Sequence, residues 1–234
     1  MPDLVDRDEW ERQFARRLTR IEREQLAELM RQLGDPPNLS AIPESYWMGM
    51  SNSLGAEIVP MLTVVYLQAA QALLDETPIG VEWDLIHTAG STWARQYGSE
   101  LVQGLANTTR EFLRQSIGRF FTDQMTMRQL RDLLEQRFGP VRAELIASTE
   151  ITRAAVQGEM GIVDAIGEQG IRMVAVWNTS NDEIVCVVCE PLNQELEDEP
   201  GSRTWTHPEN GQIYEPPPAH PRCRCWLTHE FSEA

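Results

Sequence analysis

The sequence predicts a predominantly helical α+β protein: a long helical part over residues 1–139, then a small, loop-rich, zinc-stabilised C-terminal module over residues 140–234. Three observations carry this. Apolar residues recur every three to four positions as far as Gly170, and β-branched runs and turn residues take over after it. The chain's four cysteines all fall in that last stretch, as Cys186-Val-Val-Cys189 and Cys223-Arg-Cys225.

Taken in order, Trp10, Phe14, Leu18, Ile21, Leu29 and Leu33 define an amphipathic helix that Gly34-Asp-Pro-Pro37 ends. Residues 38–43 punctuate, and residues 46–74 read as a more buried helix with a kink at Pro60. After a break at Thr77-Pro-Ile-Gly80 come two helices, 83–105 and 108–121, separated near Asn107-Thr108, where an N-cap would satisfy free amides. Thr126-Met-Arg-Gln129 has the form of a capping box, opening a short helix over 126–138 that Gly139-Pro140 stops. The helix from Val141 to about Gly167 carries Leu145, Ile146, Ile151, Ala155 and Val163 as its apolar stripe. Residues 172–177 read as a strand, and the proline-rich stretch 190–219 as an irregular loop with short hairpin strands around Trp205 and Ile213. The N-terminal helices bury one face within their own domain; a coiled coil with a second copy is the alternative, and the oligomeric state is not set by the pattern.

At 234 residues and 41% hydrophobic content, the chain can bury a core without covalent staples. Its formal charge of −16 argues against a general nucleic-acid binder, and disfavours a zinc-ribbon-like one, because clustered cations supply most non-specific affinity for phosphate. Arg222 and Arg224, two charges in an acidic region, make at most a weak DNA contact. All of the cations are arginine, which reads as codon usage. The acidic N-terminus lacks the basic start and apolar core of a secretory signal. The most apolar stretch, residues 58–67, is half of the ~20 residues a bilayer span needs, so a soluble chain with no membrane contact is expected.

Two close pairs of thiolates separated by a long loop are what a tetrahedral soft-ligand ion requires, each pair supplying two ligands from one turn. Cys186, Cys189, Cys223 and Cys225 are the expected ligands, and His220 is a fifth candidate for four places. Four thiolates suit a closed, structural zinc site better than a catalytic one, which keeps a position open. A reducing cytosol favours metal over disulfides. His207 and His229 are expected to be exposed loop histidines outside the metal set, and His87 a partly buried helix residue. Asp182 and Glu183 read as a polar turn. Glu150 and Arg153 stand three apart on one helical face, the spacing of an i,i+3 ion pair.

Read together, Arg142-Ala-Glu-Leu-Ile-Ala-Ser-Thr-Glu150-Ile-Thr-Arg153-Ala, Val176-Trp177-Asn-Thr179-Ser-Asn-Asp182-Glu-Ile-Val-Cys186-Val-Val-Cys189 and His220-Pro-Arg-Cys223-Arg-Cys225 resemble the Mu F-like phage head-morphogenesis (minor capsid) family, over about residues 141–231. The three motifs are more specific together than any one alone. The resemblance implies a minor head protein of a phage or prophage that acts in capsid assembly, associates with the portal and assists genome delivery. Its implied partners are the portal protein and the scaffold or major capsid protein. Its implied places are the host cytoplasm during assembly and then the virion head. It also implies that Glu150, Arg153, Trp177 and Asp182 are structural motif residues, with Glu150 clamping helix to loop. The chain ends nine residues after its last cysteine, which leaves no room for the enzymatic or toxin domain some relatives append. An enzyme is not expected; the rival is a zinc-dependent hydrolase or group-transfer enzyme using Glu150 and Arg153, and the region lacks a recognisable nucleophile.

Overall fold

The computed structural model describes residues 4, 6–179 and 185–232. Five helices lead: α1 (Arg7–Leu33), α2 (Glu44–Glu76), α3 (Trp83–Thr122), α4 (Met127–Glu135) and α5 (Pro140–Gly167). Four short strands follow: β1 (Met173–Asn178), β2 (Trp205–Thr206), β3 (Ile213–Tyr214) and β4 (Trp226–Phe231). This is the expected arrangement of a mostly helical N-terminal part and a small C-terminal strand region.

Helix α1 starts with Asp8 and Glu9 and has Arg31 in its last turn, charges that complement its dipole. It stops at Gly34, whose φ of +74° only glycine adopts at no cost. Helix α2 continues through Pro60. By length and a mean hydropathy of 1.4 over its most apolar window, α2 is long and apolar enough to cross a membrane, more so than its ten most apolar residues suggest. Ile58, Leu62, Val65, Tyr66, Ala69, Ala70 and Leu73 are nevertheless buried in the protein core.

The expected break near Asn107-Thr108 is absent, and residues 83–122 form one helix. Thr108 and Thr109 donate their hydroxyls to the Leu105 carbonyl at 3.0 and 2.7 Å, bonding backwards within the helix instead of capping a new one. The capping box at α4 is present: Thr126 Oγ1 accepts from Gln129 N–H at 3.3 Å, and Gln129 Oε1 accepts from Thr126 N–H at 2.8 Å. Pro140 occupies the first turn of α5, where its missing N–H costs nothing.

By contact the chain sorts into two units that interleave along the sequence and do not meet at residue 139. One comprises Glu11–Met61 and Arg95–Ala147; the other comprises Met1–Trp10, Leu62–Ala94 and Ser148–Ala234. Within the second unit, Gly158 and Gly161 of α5 lie against Tyr66 of α2, where a Cβ at either position would clash with the Tyr66 carbonyl or hydroxyl. This close approach orients the part of α5 that faces the strands. On α5, Ile146, Ile151 and Ala155 are buried as expected, Val163 is half-buried and Leu145 is exposed.

Strands β1 and β4 pair antiparallel, with Ala175 opposite His229 and Trp177 opposite Leu227. On the other side of β1, Trp177 N–H donates to Glu195 O at 2.8 Å and Glu197 N–H to Ala175 O at 2.9 Å. The strand is thus held on both edges. Strands β2 and β3 form the expected hairpin, Trp205 facing Tyr214. A compact apolar cluster of Val156, Met160, Trp177, Leu192, Trp205 and Leu227 includes Cys189, Cys223 and Cys225 among its buried members.

Candidate metal centre

The first cysteine corner is a tight turn: Cys189 N–H and Glu190 N–H both donate to Cys186 O at 3.0 Å. Cys189 N–H also points at Cys186 Sγ, 3.4 Å away, as amides do toward a thiolate. The tip residue, Val187, is exposed, while Leu192, just beyond the corner, is buried. The second corner is the turn His220-Pro-Arg-Cys223, closed by Cys223 N–H donating to His220 O at 3.1 Å. It leads directly into β4, so register with β1 fixes its position.

These corners bring five donors together in two overlapping triads, Cys186–Cys189–His220 and Cys189–Cys223–Cys225, each with its donor atoms within 4.8 Å of one another. Cys189 belongs to both. Its Sγ lies 3.9 Å from Cys223 Sγ, close to the edge of about 3.8 Å that a tetrahedron with ~2.3 Å metal–sulfur bonds requires. His220 Nε2 lies 3.0 Å from Cys186 Sγ and 3.2 Å from Cys189 Sγ. Those separations are a few tenths of an ångström under a tetrahedral S–N edge of about 3.5 Å, so small side-chain adjustments admit an ion. His220 Nδ1–H donates to Pro221 O at 2.8 Å, which leaves the Nε2 lone pair directed at the thiols. No cysteine is in a disulfide.

Electrostatics point the same way. Hydrogen bonds from the Cys189 and Cys225 thiols hold Cys223 far below the usual thiol range. The hydrogen bond to Cys223 pushes Cys189 up, with burial adding to it. Cys225 rises to about 12, the Cys189 hydrogen bond opposing those effects of Cys223 and burial. A divalent cation at this point would ionise its thiol ligands. The chemistry of the donors and their burial are therefore those of a structural metal site.

Outside the donors, Trp177 and Trp205 meet edge to face with ring centroids 5.4 Å apart, both fully buried, and close off the cluster. The backbone of the second corner is held by α5. Thr149 Oγ1 accepts from Arg222 N–H at 2.9 Å, and Thr152 Oγ1 donates to Cys223 O at 2.7 Å. Both threonines lie within the Thr-Glu-x-x-Arg motif, whose charged members draw attention first. Glu150 is buried and pairs with Arg153 at 3.5 Å, the i,i+3 geometry that their spacing predicts. Asp182 and Glu183 lie outside the described residues.

The remaining histidines depart from expectation. His207 is buried, its Nδ1 accepting from Glu209 N–H at 3.2 Å. His229 faces inward from β4 with both ring nitrogens hidden and unbonded, and burial lowers its pKa to about 4. His87 is exposed. Sequence reasoning missed β4 itself: Trp226-Leu-Thr-His-Glu-Phe231 does not alternate apolar and polar residues, and only pairing with β1 reveals the strand.

No protein-family model, curated protein or solved structure matches the chain. A cavity of about 700 Å³ lies between the end of α5 and β1, lined by residues including Met160, Asp164, Met173, Arg203 and His229. Neither Glu150 nor Arg153 lines it.

Proposed function

We propose that this chain is a Mu F-like minor head protein of a phage or prophage, acting in capsid assembly by binding the portal and the scaffold or major capsid protein. Its cysteine module is fastened by one structural zinc ion. Cys186, Cys189, Cys223 and Cys225 would hold the ion, with His220 the alternative ligand. The metal would cross-link the two cysteine corners.

The observation that carries the reading is the convergence of three sequence motifs on one place. The Thr-Glu-x-x-Arg segment of α5 holds the backbone of the His-Pro-Arg-Cys-Arg-Cys corner, and that corner faces the Cys-x-x-Cys turn beside Trp177. A set of motifs built into one buried, donor-rich cluster suits a scaffold for binding.

Deletion of the gene tests this directly. Defective or poorly infectious heads are expected, and the purified protein should co-sediment with portal rings. Absence of any association with portal or capsid components, together with a hydrolase or transferase activity that Glu150→Gln abolishes in a folded chain, would replace this reading with the enzymatic one.

A further inference from the structure

Arg7, the first residue of α1, is buried, which is costly for a guanidinium unless its donors are satisfied. Its Nη1 donates to Arg224 O at 2.6 Å and its Nη2 to Thr152 Oγ1 at 3.1 Å. Thr152 in turn donates to Cys223 O. The next residue, Asp8, pairs with the Arg224 guanidinium. Two consecutive residues at the start of the chain thus grip the backbone and side chain of Cys223-Arg224, the middle of the second cysteine corner.

We infer that Arg7 is a positioning residue of the metal centre, so that the metal and the N-terminal end of α1 bind the C-terminal module as one unit. The inference rests on the metal reading proposed above and adds the coupling to it. Two physical effects support it. Arg7 fixes the carbonyl between the two cysteines, and with it the direction in which Cys223 and Cys225 present their sulfurs. A zinc ion with three or four thiolates also carries a net charge of about −1 or −2, and a buried cation beside it offsets that charge. Outer-shell partners of this kind commonly govern metal affinity by 10- to 100-fold. Coupling between two binding events is reciprocal, so zinc must strengthen docking of the N-terminus by the factor Arg7 strengthens zinc.

The test is zinc affinity by chelator competition in the full-length chain, with tryptic cleavage near the N-terminus followed in parallel. Arg7→Ala should weaken zinc binding by about 10- to 100-fold, and zinc removal from the wild type should speed cleavage at Arg7 and Arg12. Arg7→Lys, which keeps the charge and loses the two-armed donor, should fall between. Arg17→Ala, in the same helix and half exposed against Glu57, should leave zinc affinity unchanged. Circular dichroism confirms that each variant is folded. Wild-type protein that binds one zinc while Arg7→Ala binds it equally tightly overturns the inference; wild-type protein that binds none overturns the metal reading itself. Equal weakening by Arg17→Ala also overturns the coupling, since the effect would then belong to the helix at large.

Discussion

Burial raises the Glu22 carboxyl from 4.5 to about 7, against the attraction of Arg142 at 3.6 Å and of Arg137. Burial likewise lowers Arg142 to about 10, so desolvation outweighs attraction on both sides of the pair. The folded state therefore holds the Glu22 proton more tightly than the unfolded chain. The stability it contributes is complete below pH 4.5 and lost as pH rises through about 7, on the order of 3 kcal/mol in all. The stability difference between wild type and Glu22→Gln, from urea midpoints, should be flat below pH 4.5 and shift against the wild type towards pH 8; a flat difference throughout would contradict this. His229 has the opposite sign. Its pKa falls from 6.5 to about 4, so its contribution is present above 6.5 and lost as pH falls through 4. Between about pH 7.5 and about pH 4, the wild type should lose more stability than His229→Phe. That both ring nitrogens of this half-buried histidine are hidden was illegible in the sequence, because its neighbours across the sheet come from β1, about fifty residues away.

Among the elements, α5 positions the site, and its small residues permit that. Gly158→Ala or Gly161→Ala should force it away from Tyr66 and cost about 1–3 kcal/mol, read as a lowered urea midpoint. An unchanged midpoint would mean that the crossing of α5 and α2 tolerates a methyl group. Helix starts marked by a complete local device, such as the capping box at Thr126, were legible, because cap and partner lie within one turn. The false break in α3 arose from the same kind of signal without its partner: a threonine hydroxyl caps or bonds backwards according to packing outside the local window. Strand β4 was missed for a related reason, since pairing with β1 over a long loop leaves no mark in six residues. Cys189→Ser should loosen this strand region while preserving most of the helical circular dichroism. Hydrogen exchange would show it as lost protection across β1 and β4; uniform loss across all helices would mean the cysteine module is no separate cooperative region.

For the whole molecule, the cysteine spacing located the candidate site. The five candidate donors identified in sequence are the five that the fold gathers. What spacing could not reveal was the supporting shell, Thr149, Thr152 and Arg7, because hydroxyls and a lone arginine are ordinary helix residues until the fold aligns them with a carbonyl. Metal content is the most direct measure of the central claim that this cluster is a structural zinc site. Protein purified under reducing conditions, without added metal, should carry about one zinc per chain by elemental analysis, and a chelator should remove it only as the strand region opens. Metal-free protein with an equally protected strand region and four titratable thiols would contradict it.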